Sequence, residues 1–448
     1  MAENKKKMSV MQLTIITAVN MLGSGIIMLP SKLAQIGTMS ILSWLVTLTG
    51  ALCLAYSFAR CGMFSNRTAS GMGGYAEYSY GKDGSFMANF TYAISLVIAN
   101  VAIAISAVGY GEVFLGVTLK PFEITLSAMA LIIITTVANF WGPRVTGNIG
   151  TITVWGVIVP VVVLSVIGWF WFSPHMYASS WNPHHESLFT GISASIPITL
   201  WAFLGLESAA ANSDAVENPK KNVPIAVLGG TIGAGIIYIL STNVMAGIVN
   251  NHALVTSNAP FGLTFATMFT PVIGKIVMGL MVLACIGSLL GWQFTVAEVF
   301  RSSANEGYFP ALFKKVTKRE APIVGMVTLM ICQILLSLLT ISPNLINQFN
   351  TLVNLAVVTN LVPYVLDMGA LKTIQMSAGL TKESKGFKLT NVIAVIAGIY
   401  SLYSMYASGS EAMVLGALVA FAGWTIYGFV SYKYDLPDAQ KESQQNNA

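Results

Sequence analysis

The sequence predicts an all-α integral membrane protein of about twelve transmembrane helices, and three observations carry that prediction. Hydrophobic residues make up 55% of the 448 positions and charged residues only 9%, whereas a soluble domain carries about 25% charge. A chain this poor in charge cannot cover its surface in water. Twelve apolar stretches follow one another, most of them near the roughly 20 residues that cross a bilayer. The lysines and arginines collect in every second loop, as the orientation rule for polytopic proteins demands.

The elements follow in order. Lys5, Lys6 and Lys7 precede the first apolar stretch, which runs past signal-peptide length and lacks a small-residue cleavage site. Residues 1–10 therefore read as a cytoplasmic segment and 11–33 as the first span. Further spans fall near 40–60, 87–109, 124–140, 151–172 and 189–211, then near 225–249, 272–297, 322–342, 347–370, 390–407 and 411–431. With the N-terminus in the cytoplasm, inner segments hold 20 basic residues against three outside, Lys32, Lys120 and Lys275. Both termini are thus expected to be cytoplasmic, and the transporter core to occupy 11–431. The tail 432–448, rich in Gln, Asn and charge, reads as disordered. No segment between spans is long enough for a separate soluble domain.

Some function classes drop out early. The net charge of +5 sits in loops with no aromatic-interleaved basic domain, so no nucleic-acid partner is expected. Cys53, Cys61, Cys285 and Cys332 lie in or beside apolar segments and form neither a disulfide framework nor a zinc pattern. His175, His184, His185 and His252 fall in predicted outer loops, where the adjacent pair is read as solvated. No metal and no cofactor are expected.

The chemistry concentrates in two spans. Span 1 carries Asn20-Met21-Leu22-Gly23-Ser24-Gly25-Ile26-Ile27 with Pro30 close behind. One reading is a packing notch, since small residues let membrane helices approach. The other is a broken helix, with Gly23, Ser24 and Gly25 lining a cavity and the outer half-helix presenting its positive dipole end there. Span 6 reads Ile198-Thr199-Leu200-Trp201-Ala202-Phe203-Leu204-Gly205-Leu206-Glu207. Glu207 is read as the only acid clearly inside a span, where a carboxylate costs about 2.5–3.5 kcal/mol on insertion scales and is normally functional or paired. An interfacial position for it stays open. Spans 1 and 6 would be equivalent members of two five-helix inverted repeats, about 11–172 and 189–370, whose interrupted helices mark a midplane site.

Aromatic and amide residues complete the inventory. Trp201 and Trp292 lie inside spans beside glycines and are read as ring faces for an ammonium group. Tyr92 in span 3 and Tyr364 in span 10 could serve the same end or pack against lipid. Asn100 in span 3 is either helix–helix glue or a ligand donor, and Asn354 and Asn360 pose the same question. The segment Gly71-Met72-Gly73-Gly74-Tyr75-Ala76-Glu77-Tyr78 reads as an inner hinge loop. No strand precedes it, so it is no nucleotide fingerprint. Glu77 there either guides cations or is a solvated loop acid.

With these residues in hand, the chain resembles the amino acid–polyamine–organocation family, within it the bacterial basic amino acid/polyamine antiporters. The resemblance rests on Gly23-Ser24-Gly25-Ile26, Gly73 to Tyr78, Trp201 to Ser208 and Val216-Glu217-Asn218-Pro219-Lys220-Lys221-Asn222-Val223-Pro224. The longer strings Trp181-Asn182-Pro183-His184-His185, Ala259-Pro260-Phe261 and Glu306-Gly307-Tyr308-Phe309-Pro310 are more specific. It implies five-plus-five inverted repeats with two extra helices at about 390–431, and alternating access around a central site in the bacterial inner membrane. It implies exchange of putrescine for ornithine, with proton-coupled putrescine uptake beside it and membrane lipid, or a second copy in a homodimer, as surroundings. Carried over by position, Gly23, Ser24 and Gly25 would hold the ornithine carboxylate. Glu207 would face an ammonium or couple to protons, and Trp201, Trp292 and Tyr92 would form walls and gate. One position departs from the pattern: Asp435, which with Glu77 would guide cations on the inner side, stands where a Glu is expected, with a reach one methylene shorter. Arginine–agmatine and lysine–cadaverine exchangers share the glycine motifs and are the alternative.

Two other classes compete. A channel calls for repeated polar rings along a pore. A membrane enzyme calls for a nucleophile–base set or metal ligands inside spans. Neither pattern is present in the sequence.

Overall fold

A computed structural model of the chain describes residues 9–66, 71–207, 218–305, 307–342 and 344–433. Among these the secondary structure is helical and contains no strand. The helices are α1 (Val10–Met21), α2 (Leu29–Ile36), α3 (Ile41–Phe64), α4 (Gly71–Leu115), α5 (Pro121–Asn139), α6 (Pro143–Thr153), α7 (Trp155–Ile167), α8 (Pro174–Ser179) and α9 (Leu188–Trp201). After a gap in the description come α10 (Pro219–Ala246), α11 (Asn251–Val255), α12 (Pro260–Met268), α13 (Pro271–Asn305), α14 (Ile323–Leu339), α15 (Leu345–Ser377), α16 (Phe387–Ala407) and α17 (Ser410–Val430).

Local chemistry sets the ends. Ser9 opens α1 with a reciprocal capping box to Gln12, which satisfies two otherwise orphaned donors. Proline occupies the first turn of α5, α6, α10 and α12, where its missing N–H costs nothing. Asn344 and Ser187 cap α15 and α9 through their side chains. The segment expected to be a hinge loop, 71–78, is instead helical: it begins α4, and the non-helical residue is Gly81 (φ 67°). Gly73 explains the small residues there. Its N–H donates to Asn89 Oδ1 at 2.9 Å, and a Cβ on it would lie 2.5 Å from that side chain. These glycines serve close packing within a folded-back helix.

Nine helices among the described residues are long and apolar enough to cross a membrane, and three shorter apolar ones accompany them in the α1, α9 and α14 segments. The most apolar window of α4 is 94% buried and that of α17 only 17%, so α4 runs through the protein and α17 along its edge. On α16 the exposed residues Leu389, Val392, Ile396 and Ile399 recur at helical spacing, and Val414, Leu418, Phe421 and Trp424 do so on α17. Apolar stripes this long, facing outward, need a hydrocarbon surrounding.

Two membrane helices are interrupted. The first stops at Met21, passes through a short 3-10 turn at Ser24–Ile26 and resumes at Leu29. The second stops at Trp201 and unwinds through Glu207, with Gly205 at φ 102°, a conformation that glycine adopts without steric cost. The continuation of that segment through Asp214 lies outside the described residues, as do Asp435, Glu306, Lys5, Lys6 and Lys7.

Candidate functional site

The two breaks meet. An ideal Cβ on Gly25 would lie 3.5 Å from Ala202 Cα and 3.8 Å from Trp201 Nε1. Tyrosines hold the freed backbone carbonyls: Tyr110 donates to Ile27 O at 2.9 Å and Tyr238 to Ala202 O at 2.8 Å. A buried carbonyl without such a donor would cost about 1–3 kcal/mol, so these two hydroxyls make unwinding tolerable inside the protein.

Between the breaks lies a cavity of about 50 Å³. On that measure one water needs about 10–15 Å³, so the space is a narrow slot. Its apolar sides are Met21, Leu96, Ala99, Ile103 and Leu204; Trp201 and Trp292 add ring surface, and Gly23, Gly25 and Gly205 add backbone. The polar groups are few: Ser95, Asn360 and Glu207.

Glu207 is 6% exposed, not interfacial. Three donors converge on its carboxylate. Tyr92 Oη donates to Oε1 at 2.9 Å, the Gly205 N–H donates to Oε2 at 3.0 Å, and Tyr364 Oη donates to Oε2. Asn360 Nδ2 donates to Ser95 Oγ at 3.1 Å, and its Oδ1 has no hydrogen-bond partner among the described residues, leaving an acceptor beside the slot. Trp201 is 6% exposed, packs edge-on against Phe349 at 6.4 Å between centroids, and has an indole N–H without a hydrogen-bond partner among the described residues.

The chemistry of this slot is directional. The C-terminal ends of α1 and α9 both point their carbonyl-rich, partly negative ends at the breaks, and α2 starts there with its partly positive end. One acid, two negative helix ends and two indoles favour an ammonium group. The start of α2 is a seat for a carboxylate. The apolar stretch between suits a short alkyl chain.

The slot continues toward the N-terminal face. A crevice of about 570 Å³, lined among others by Val19, Tyr92, Thr146, Trp155 and Ser288, shares Gly23 and Trp292 with it. A second, of about 420 Å³, reaches past Tyr92 and Thr295 to Asn89, Glu298 and Arg301. Glu298 is already engaged there by Arg301 at 2.7 Å. On the opposite face a hollow of about 390 Å³, with Gln35, Glu112, Asn258 and Asn347, shares no lining residue with the slot. Among the described residues the slot thus adjoins a crevice on one face, with Tyr92 and Trp292 along it, and shares no lining residue with the hollow on the other.

The expected residues divide as follows. Gly23, Gly25, Trp201, Glu207 and Trp292 line one cavity, and Tyr92 joins them through Glu207. The backbone of Ser24 lies in the first break. Asn100 is fully buried but absent from the slot, and neither amide atom has a hydrogen-bond partner among the described residues; the adjacent turn supplies Leu96, Ala99 and Ile103 instead. Glu77 is half-buried on the first part of α4, away from the slot. Tyr364, noted only as an aromatic in span 10, turns out to be a direct partner of Glu207.

One expectation is corrected. Glu207 is not the only acid within a span: Asp367, on α15, is fully buried. It lies three residues inside the end of the span expected near 347–370. The helix runs on to Ser377, which places Asp367 inside. Ser95 and the small side of α4 carried no sequence signal, because serine and alanine are common in any membrane helix.

Comparison with known proteins bears on the family. The sequence profile of the amino acid permease family matches residues 8–430. The chain is 61% identical over 430 residues to the putrescine transporter PotE of Escherichia coli strain K12, covering 96% of this chain and 97% of that one. It is 61% identical over 436 residues to the putrescine transporter PotE of Haemophilus influenzae, covering 97% and 100%. The cadaverine/lysine antiporter of Escherichia coli strain K12 is 33% identical over 367 residues, covering 80% and 82%. The profile spans the whole helical region of this multi-pass membrane protein, and the chain belongs to the amino acid permease family.

Proposed function

We propose that the chain is a secondary transporter of the bacterial inner membrane that exchanges putrescine for ornithine and also takes up putrescine with protons. The observation that carries the proposal is the single carboxylate, Glu207, held by two tyrosines and a backbone N–H at the wall of a narrow apolar slot with two indoles. An alkyl diamine needs an anion for an ammonium, ring faces and an apolar channel for its methylenes. Ornithine adds a carboxylate, for which Gly23, Ser24, Gly25 and the start of α2 are the receiving backbone. Tyr92 and Trp292 act as the gate toward the N-terminal face. The 61% likeness to putrescine transporters against 33% to a cadaverine/lysine antiporter favours the four-carbon diamine over the five-carbon one. Glu77 and Asp435 are proposed to guide cations at the cytoplasmic entrance.

The architecture proposed with it is twelve spans in two inverted repeats of five, at about 11–172 and 189–370, plus α16 and α17, with both termini cytoplasmic. The contact pairs support the repeat. Span 1 packs on span 7 (α1 on α10) and its counterpart span 6 on span 2 (α9 on α3). Span 3 packs on span 10 (α4 on α15), and its counterpart span 8 on span 5 (α13 on α6 and α7). Exchange of each span for the one five later maps these contacts onto one another.

Displacement of labelled putrescine from purified protein, by diamines of three to six carbons and by ornithine, arginine and agmatine, tests the substrate. Tightest competition by the four-carbon diamine, with ornithine also competing, is the expected order. Tightest competition by cadaverine and lysine, or by agmatine and arginine, moves the chain to a sister specificity.

A further inference from the structure

Asp367 is a fully buried acid that the slot itself does not use. It is fully buried, and neither carboxylate oxygen accepts a hydrogen bond from any described residue. Glu207, by contrast, has three donors. Asp367 sits one helical turn beyond Tyr364, whose hydroxyl bonds Glu207; the packed helix α3 carries Cys61 and, beside it, Arg60, whose guanidinium donates to Tyr56 Oη at 2.9 Å and not to Asp367. Around this stretch α4 brings Tyr92, through Glu207, and Tyr80, whose hydroxyl covers Gly369. Helices α16 and α17 carry Lys388, Tyr400 and Tyr427, and α15 itself carries Lys372; none of them bonds Asp367. An ionised carboxylate left without donors in such surroundings is strongly disfavoured. The residue therefore needs either a proton or a nearby positive charge.

The substrates differ in just that quantity. Near neutral pH putrescine carries two positive charges, and ornithine, with two ammonium groups and one carboxylate, carries one. Ionised Glu207 balances ornithine alone. With putrescine in the slot, one further negative charge is needed to keep the buried charge at zero, and Asp367, a buried carboxyl one helical turn from the tyrosine that bonds Glu207, can supply it by losing a proton.

We infer that Asp367 is the charge-compensating carboxyl of the site: it holds a proton when the slot is empty or contains ornithine, and gives that proton up when a dication is bound. The step moves one proton from the Asp367 carboxyl to solvent as putrescine enters and returns it as putrescine leaves; no other bond changes. This rests on the proposed substrate pair and goes beyond it, because it assigns the proton to a particular residue outside the substrate's own contacts.

Proton release on ligand binding tests it directly. Purified protein in weakly buffered detergent solution, with a pH-indicating dye, is titrated with putrescine and with ornithine. The wild type should release about one more proton per putrescine than per ornithine, and Asp367→Asn should lose that difference. The same difference in Asp367→Asn overturns the inference. If the Asn variant fails to insert, Asp367→Glu keeps the carboxyl but displaces it. Its extra release should persist with the pH profile moved, and an unmoved profile overturns the assignment. A wild type that binds putrescine with no extra proton also overturns the inference while leaving the proposed function standing. A wild type that binds no diamine removes the proposed function, and the inference with it.

Discussion

Replacing Glu207 by glutamine isolates the charge at the centre of the site. The three groups aimed at the carboxylate are Tyr92 Oη on Oε1, and Tyr364 Oη with the Gly205 N–H on Oε2. A glutamine can place its carbonyl oxygen where Oε2 stands and satisfy both donors there. Its amide then faces Tyr92, whose hydroxyl can turn and accept. The variant should therefore fold and insert, and what it loses is the attraction for an ammonium. A hydrogen bond to a charged partner contributes about 1.5–3 kcal/mol. At 1.4 kcal/mol per decade, putrescine affinity should fall by about 10- to 150-fold. Equilibrium binding of labelled putrescine to purified wild type and Glu207→Gln reads this directly, with thermal unfolding in the same detergent as the control for fold. An affinity within twofold of the wild type, in a protein with unchanged thermal stability, would refute the placing of Glu207 against the substrate.

Other expectations follow from the same geometry. Trp201→Leu removes an indole face at the slot and should weaken putrescine by about 1–2 kcal/mol, or about 5- to 30-fold, in the same binding assay; unchanged affinity would leave the ring a packing role only. Tyr110→Phe and Tyr238→Phe each leave a carbonyl of a helix break without its donor and should destabilise the detergent-solubilised protein by about 1–3 kcal/mol, read as a lowered thermal midpoint. Gly156 lies so close to α13 that a Cβ would come 2.4 Å from Leu280 O. Gly156→Val should therefore cost about 1–3 kcal/mol or more, whereas Gly147→Ala, with open space around it, should leave the thermal midpoint unchanged.

Most of the frame is legible in the residues because lipid imposes a simple grammar. Apolar length locates the spans, and Gly23 with Gly25 locates the first break. Glu207 locates the second, since an acid among Leu204, Gly205 and Leu206 has few structural excuses. What stays hidden depends on three-dimensional register. Tyr92 and Tyr364 are ordinary interface tyrosines until α4 and α15 bring both hydroxyls to one carboxylate. Asn100 and Asn360 look equivalent in sequence, yet only Asn360 reaches the slot. The folding of residues 71–80 into a helix ending at Gly81 is equally invisible, because glycines that pack against Asn89 and Ser85 look the same as glycines that bend. Asp367 is hidden in the same way, because the helix runs on past the apolar stretch to Ser377 and so carries it inside.

The central claim is exchange through one narrow cation-binding slot. Counterflow into proteoliposomes loaded with unlabelled ornithine, with labelled putrescine, cadaverine, agmatine and arginine outside, tests it most directly. The account predicts rapid putrescine uptake that collapses when internal ornithine is omitted and that exceeds uptake of the other three. Absence of trans-stimulated uptake of any of these amines, in protein that is correctly inserted, would contradict it.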